Sequence, residues 1–145
     1  MFKLCNIYID EKETLYGIPC GLSKDEWMGS TSINKIVILQ HPYSDADVAN
    51  FLHEIMDLCN TERGLGLKDP SPIEVHFKKK SWTAATKKLL CVLFYYSENN
   101  YYFVSSQKQP KGAYSLSKEK YMAGSSPTDE ELINAFIEAK NNSTL

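Results

Sequence analysis

The chain has 145 residues, of which 43% are hydrophobic and 23% charged, with a net charge of −2. A chain of this size and composition reads as one globular domain that buries its core without a disulfide or metal staple. Its charge balance gives no general drive towards nucleic acid. Arg63 is the only arginine, which argues against a phosphate-recognition surface built on guanidinium forks but not against a basic protein partner.

The N-terminus lacks the apolar core of a signal peptide, and no stretch is long enough to span a bilayer. Cys5, Cys20, Cys59 and Cys91 form no C-x-x-C pair. Cys5, Cys59 and Cys91 lie inside apolar patterns and read as small core residues. A reduced cytoplasm is the simplest setting these features predict.

Phe2 to Ile9 alternates loosely and reads as a first strand, followed by the charged turn Asp10-Glu11-Lys12-Glu13. Thr14 to Ile18 reads as a short second strand ended by Pro19-Cys20-Gly21. Leu22 to Ser32 reads as a loop around Trp27, with room for one helical turn after Ser23. Ile33 to Gln40 contains the run Ile36-Val37-Ile38-Leu39 and predicts a strand, stopped by His41-Pro42.

Ser44 to Cys59 predicts an amphipathic helix. Val48, Phe51, Leu52, Ile55, Met56 and Cys59 fall in one stripe at 3.6 residues per turn. Ser44 offers a cap oxygen, and Asp45 and Asp47 lie where the helix dipole favours negative charge. After a loop through Gly64 and Pro72, Ile73, Val75 and Phe77 alternate with Glu74, His76 and Lys78, which predicts a half-buried strand. Lys78 to Lys88 reads as a polar connection around Trp82. Leu89 to Tyr96 is almost wholly apolar and predicts a central strand. Asn99 suits a tight turn, and Tyr101 to Ser105 pairs back as a hairpin. Ala113 to Leu116 reads as one more short strand. Thr128 and Glu131 form a capping box that opens a closing helix, with Leu132, Ile133, Ala135, Phe136 and Ala139 on its apolar side. The elements predict an α+β fold with a largely antiparallel sheet and two main helices.

The chemistry-bearing residues allow several readings. His53 stands four residues before Asp57, either a base with its carboxylate or a solvated helix pair, and we read the pair. His76 falls on the wet side of its strand, and His41 has no sequence partner. No metal-ligand pattern is present, so no metal or cofactor is expected. Cys20, in a turn, reads as the most exposed cysteine and would carry any thiol-dependent enzyme activity, although exposure alone does not activate a thiol. Lys78-Lys79-Lys80 and Lys87-Lys88 flank Trp82, a combination that a small nucleic-acid-binding module would use. Two acidic turns suit a basic protein partner: Asp10, Glu11 and Glu13 in one, and Asp25 and Glu26 beside Trp27 in the other. Tyr101 and Tyr102, beside the hairpin turn, are the next candidates for an interface.

The second half has a recognisable order: Ser81-Trp82, lysines, an apolar strand, a tyrosine-rich hairpin, then Ser126-Pro127-Thr128-Asp129-Glu130-Glu131-Leu132 and a closing helix. This resembles the immunity proteins of bacterial contact-dependent growth inhibition systems over roughly Ser81 to Lys140. The resemblance implies a non-enzymatic cytoplasmic protein that binds a cognate toxin domain and blocks its active site or substrate surface. Such toxins are frequently nucleases and hence basic, which fits acidic turns. It implies no membrane and no nucleic acid as a direct partner. Some such proteins bind by strand addition at a sheet edge.

Overall fold

In the computed structural model, which describes residues 2–145, an antiparallel sheet is built from the middle outward. β1 (Lys3–Ile9) pairs with β2 (Leu15–Leu22) on one side and β5 (Leu90–Ser97) on the other. β5 pairs with β6 (Asn100–Lys108). Each outer edge is shared by two short strands. β3 (Ser30–Ser32) lies along the C-terminal half of β2, and β4 (Val37–Leu39) along its N-terminal half. On the far edge, β7 (Tyr114–Leu116) and β8 (Tyr121–Gly124) divide β6 in the same way. The fold is α+β, with two long helices, α1 (Asp45–Leu58) and α4 (Asp129–Asn141), and two short ones, α2 (Pro72–Phe77) and α3 (Trp82–Ala85).

Strand alternation divides the apolar residues between the faces. Cys5, Ile7, Ile9, Val92, Phe94 and Phe103 face α1 and α4, where they meet Phe51, Leu52, Ile55, Leu132 and Phe136. The helix crosses the sheet closely at Gly17, where a Cβ would stand 2.6 Å from the Ile55 side chain and 2.8 Å from Phe51. Tyr8, Tyr16, Ile18 and Cys91 point to the opposite face. There Ile73, Phe77, Trp82 and Ala85, from α2 and α3, cover part of the sheet.

Both long helices follow the sequence reading. Ser44 accepts from the Asp47 amide at 3.2 Å, and Asp47 returns a bond to the Ser44 amide at 3.0 Å. Thr128 and Glu131 make the matching box on α4.

Four expectations need correction. First, residues 73–77 are helical. Ser71 caps α2 by accepting from the Glu74 amide, and Pro72 takes the first helical position, where its missing N–H is no loss. Second, β2 does not stop at Pro19. The Pro19 carbonyl accepts from the Ile33 amide, so the Pro19 nitrogen also faces away from β1. It points into the gap between β3 and β4, and no ladder bond is lost. Third, only Val37–Leu39 of the run Ile33 to Gln40 forms a strand. Ile33 is fully buried, and the residues after it bridge the gap beside Pro19. Fourth, Cys20 is not in an exposed turn but 3% exposed within β2.

Candidate protein-docking surface

Strand polarity fixes where the candidate residues sit. Asp10-Glu11-Lys12-Glu13 is the β1–β2 turn. Asp25, Glu26 and Trp27 occupy the β2–β3 connection at the other end of the sheet. The seven residues of β1 between them span about 23 Å at a strand rise of 3.3 Å per residue. The two acidic turns therefore do not come together. Tyr101 and Tyr102, next to the β5–β6 turn, share the Trp27 end, because Lys3 pairs with Tyr96 and β6 starts opposite Ser97.

At the first turn, the carboxylates are partly engaged. Asp10 Oδ1 accepts from the Lys12 and Thr14 amides at 2.8 and 3.0 Å, and Oδ2 accepts from the Tyr16 hydroxyl at 2.9 Å. Asp10 therefore organises the turn. Glu13 pairs with Lys140 at the end of α4. Glu11 is exposed and forms no ion pair among the described residues. Asp10, Glu11 and Lys12 line one wall of a cleft whose other wall carries Phe77, Lys79, Lys87 and Lys88.

At the second turn, Asp25 accepts from the Leu67 amide at 2.8 Å and holds the 65–69 loop against the turn. Lys24 pairs with Asp69 at 2.7 Å, and Arg63 with Glu26 at 3.3 Å. These contacts fix a platform from which Trp27 projects with 77% of its surface exposed, beside Leu67 at 66%. An indole so exposed contributes little to the core. With Leu67 beside it, it forms an exposed apolar pair, the kind of feature that marks an interaction surface when it is part of a larger patch.

The hairpin tyrosines face opposite ways. Tyr101 packs on the helical side, 4.6 Å from the Tyr96 ring and over a cleft shared with His53 and Met56. Tyr102 lies on the other side, stacked on Tyr95 at 5.0 Å with the Lys120 ammonium 4.8 Å from its ring. On that face Phe2 and Met122 are 45% and 53% exposed. Phe2 sits 6.0 Å from the Tyr95 ring, and Met122 pairs across from Tyr102. The half of this face not covered by α2 and α3 is therefore an open aromatic and apolar patch. Tyr102 belongs to it, and Tyr101 does not.

The helical layer carries most of the uncompensated charge. Eight of the chain's 18 acidic residues lie on α1 and α4, against one lysine. Among the described residues His53 is the one basic link between the helices, with Nε2 2.8 Å from Asp129 Oδ1 across a solvent-exposed gap. Its partner is thus Asp129 and not Asp57. Sequence spacing cannot show a pair 76 positions apart.

The two alternative sites look different in three dimensions. The Cys20 thiol is pushed up from 9.0 to about 12, first by burial and then by the nearby Cys59. It is a poor nucleophile there. Trp82 packs edge-on against Tyr114 at 5.7 Å and donates from Nε1 to the Tyr8 hydroxyl at 3.3 Å. Its ring anchors α3 and is not a free stacking platform, although the lysines around it are exposed. Among the described residues, no group of three or more His, Cys, Asp or Glu side chains is placed to hold a metal ion. No helix among them is long and apolar enough to cross a membrane.

The architecture matches solved structures along nearly its whole length. A protein of unknown function from Neisseria meningitidis superposes with a TM-score of 0.70 at 9% identity, over 99% of this chain and 96% of that one. A chain of the CdiA-CT/CdiI toxin and immunity complex from Yersinia pseudotuberculosis superposes with a TM-score of 0.69 at 8% identity, over 99% and 98%. No family model matches the chain, and no curated protein does. The resemblance read from the second half of the sequence thus extends, as a likeness of fold, from one end of the chain to the other.

Proposed function

We propose that the chain is an immunity protein. It binds a cognate toxin domain in the cytoplasm and neutralises it by covering the active site or substrate surface, with no chemistry of its own. The observation that carries this reading is the full-length likeness of fold to a chain of a toxin and immunity complex. The charge distribution supports a basic partner, of which a nuclease is the expected kind: the acidic α1–α4 layer supplies a field that draws in positive charge. The Trp27 end of the sheet supplies burial, since Trp27, Glu26 and the Tyr102 patch are all presented there. An exposed aromatic on a braced platform is the composition that interface hot spots favour.

The test is co-expression with the product of the gene immediately upstream, where this reading expects the toxin, followed by surface plasmon resonance between the two purified proteins. Growth should be rescued and a tight complex should form. Failure of both would end the immunity reading. Trp27→Ala should speed dissociation and weaken binding by at least about 2 kcal/mol. Glu26→Lys should slow association at low salt, an effect that disappears as salt shortens the Debye length towards about 8 Å. Glu11→Lys, at the far end of the sheet, is the comparison. If it slows association and Glu26→Lys does not, the interface lies at the other turn. Asp10 and Asp25 are unsuitable probes, because both hold backbone amides.

A further inference from the structure

We propose that Cys5 and Cys59 are an oxidisable dithiol, a modification site that closes to an internal disulfide when hydrogen peroxide reaches Cys59. Cys5 sits in β1 and Cys59 caps the C-terminus of α1, and their Sγ atoms lie 3.3 Å apart. The two thiols are unlike. Cys5 is fully buried and Cys59 is 5% exposed, so a small oxidant meets Cys59 first. Burial raises the Cys5 thiol well above its ordinary value, and its contact with Cys59 raises it further. Cys59 moves the other way, down to about 7. The hydrogen bond from Cys5 is the main cause and outweighs burial; the Leu4 and Cys20 backbone and the charge of Lys3 add to it. Of the two, Cys59 is thus the more easily ionised and also the more exposed residue. That is the division of labour an attacking and a resolving cysteine need.

The steps balance. The Cys59 thiolate attacks one peroxide oxygen; the S–O bond forms, the O–O bond breaks, and hydroxide leaves to become water on taking a proton. Cys59 is then a sulfenic acid. The Cys5 sulfur attacks the Cys59 sulfur, the S–S bond forms, and the S–O bond breaks. The departing hydroxide takes the Cys5 proton as a second water. Two thiols are oxidised, and one peroxide is reduced to two waters. The product ties the end of α1 to the central strand across 54 positions of sequence. It should raise the melting temperature by constraining the unfolded chain.

Tryptic mapping after peroxide treatment of the native protein tests this directly, because the four cysteines fall in separate peptides, 4–12, 13–24, 36–63 and 89–108. The expected result is a monomer that loses two free thiols, with peptide 4–12 joined to 36–63. Reductant should reverse it. Cys59→Ser should abolish the loss, while Cys91→Ser should leave it intact. Retention of all four thiols in the native protein, under conditions that oxidise the unfolded chain, would overturn the proposal. So would a link from Cys59 to Cys20. The wild-type map decides by itself even if a serine variant does not fold.

Discussion

Phe51 and His53 stand two residues apart on α1 and meet opposite surroundings. Phe51 is 3% exposed and packs over Gly17, where a Cβ would stand 2.8 Å from its ring. Phe51→Ala removes a buried ring and leaves a cavity, so it should cost about 3–5 kcal/mol. The His53 side chain is 53% exposed and pairs with Asp129 at the helix surface, so His53→Ala should cost less than about 0.5 kcal/mol. Urea melts of the two variants check the helix phase; equal losses would refute it. This contrast is legible in the sequence because 3.6-residue periodicity separates the two positions without any tertiary information. Cys20 is the counter-example at the same scale. Its neighbours Pro19 and Gly21 are turn-formers by local chemistry, but β1 pairs with β2 as far as Pro19 and β3 pairs with Cys20 and Gly21, so the strand continues through them. Those partners are not local, so the signal for burial is absent from the immediate sequence.

Elements with two independent signals are the ones the sequence specifies. α4 has both a capping box and an apolar stripe, and it forms as expected. Thr128→Ala should remove the acceptor for the Glu131 amide and lower stability by about 1 kcal/mol. Thr128→Asn, which keeps an acceptor, should recover most of the loss; equal urea midpoints for the alanine and asparagine variants would deny the cap its role. α2 shows what happens when two periods agree. Ile73 and Phe77 share a face at a spacing of four whether the backbone is strand or helix, so they cannot discriminate. Val75 does: a strand would bury it, and it is 59% exposed. The deciding signal was the start, Ser71-Pro72-Ile73-Glu74, which is a cap, a first-turn proline and a first-turn acid. β8 carried no signal at all. Of its four residues only Ala123 is buried, and an edge strand that short is specified by the β6 backbone it pairs with.

At the scale of the whole molecule, the candidate site was half legible. Composition marked the acidic turns and Trp27, but only strand order separates them by the length of β1, and only alternation splits Tyr101 from Tyr102. The same layering, with groups buried on both faces of the central strands, fixes how stability responds to alkali. Burial pushes the Cys20 and Cys91 thiols from 9.0 to about 12. Burial, then the bond to Asp10, raises the Tyr16 hydroxyl from 10.0 to about 12. Burial also raises Tyr8, Tyr114 and Cys5. Each group holds its proton in the folded chain after the unfolded chain has released it. The native state therefore binds more protons in this range, and stability falls as pH rises. The loss begins near pH 9 with the thiols, grows from pH 10 as the tyrosines join, and ends near pH 12 for Cys20, Cys91 and Tyr16. Cys59, lowered to about 7, acts oppositely and adds stability between pH 7 and its ordinary value of 9.0. Urea midpoints should rise slightly from pH 7 to 9 and then drop steeply. Within their window Cys20 and Cys91 should each contribute a slope of about 1.4 kcal/mol per pH unit. Cys91→Ala should be less stable at neutral pH through its cavity, yet lose less on going from pH 9 to 12 than the parent chain. A parent midpoint that stays level across that range would show that these side chains are not held in the interior this packing gives them.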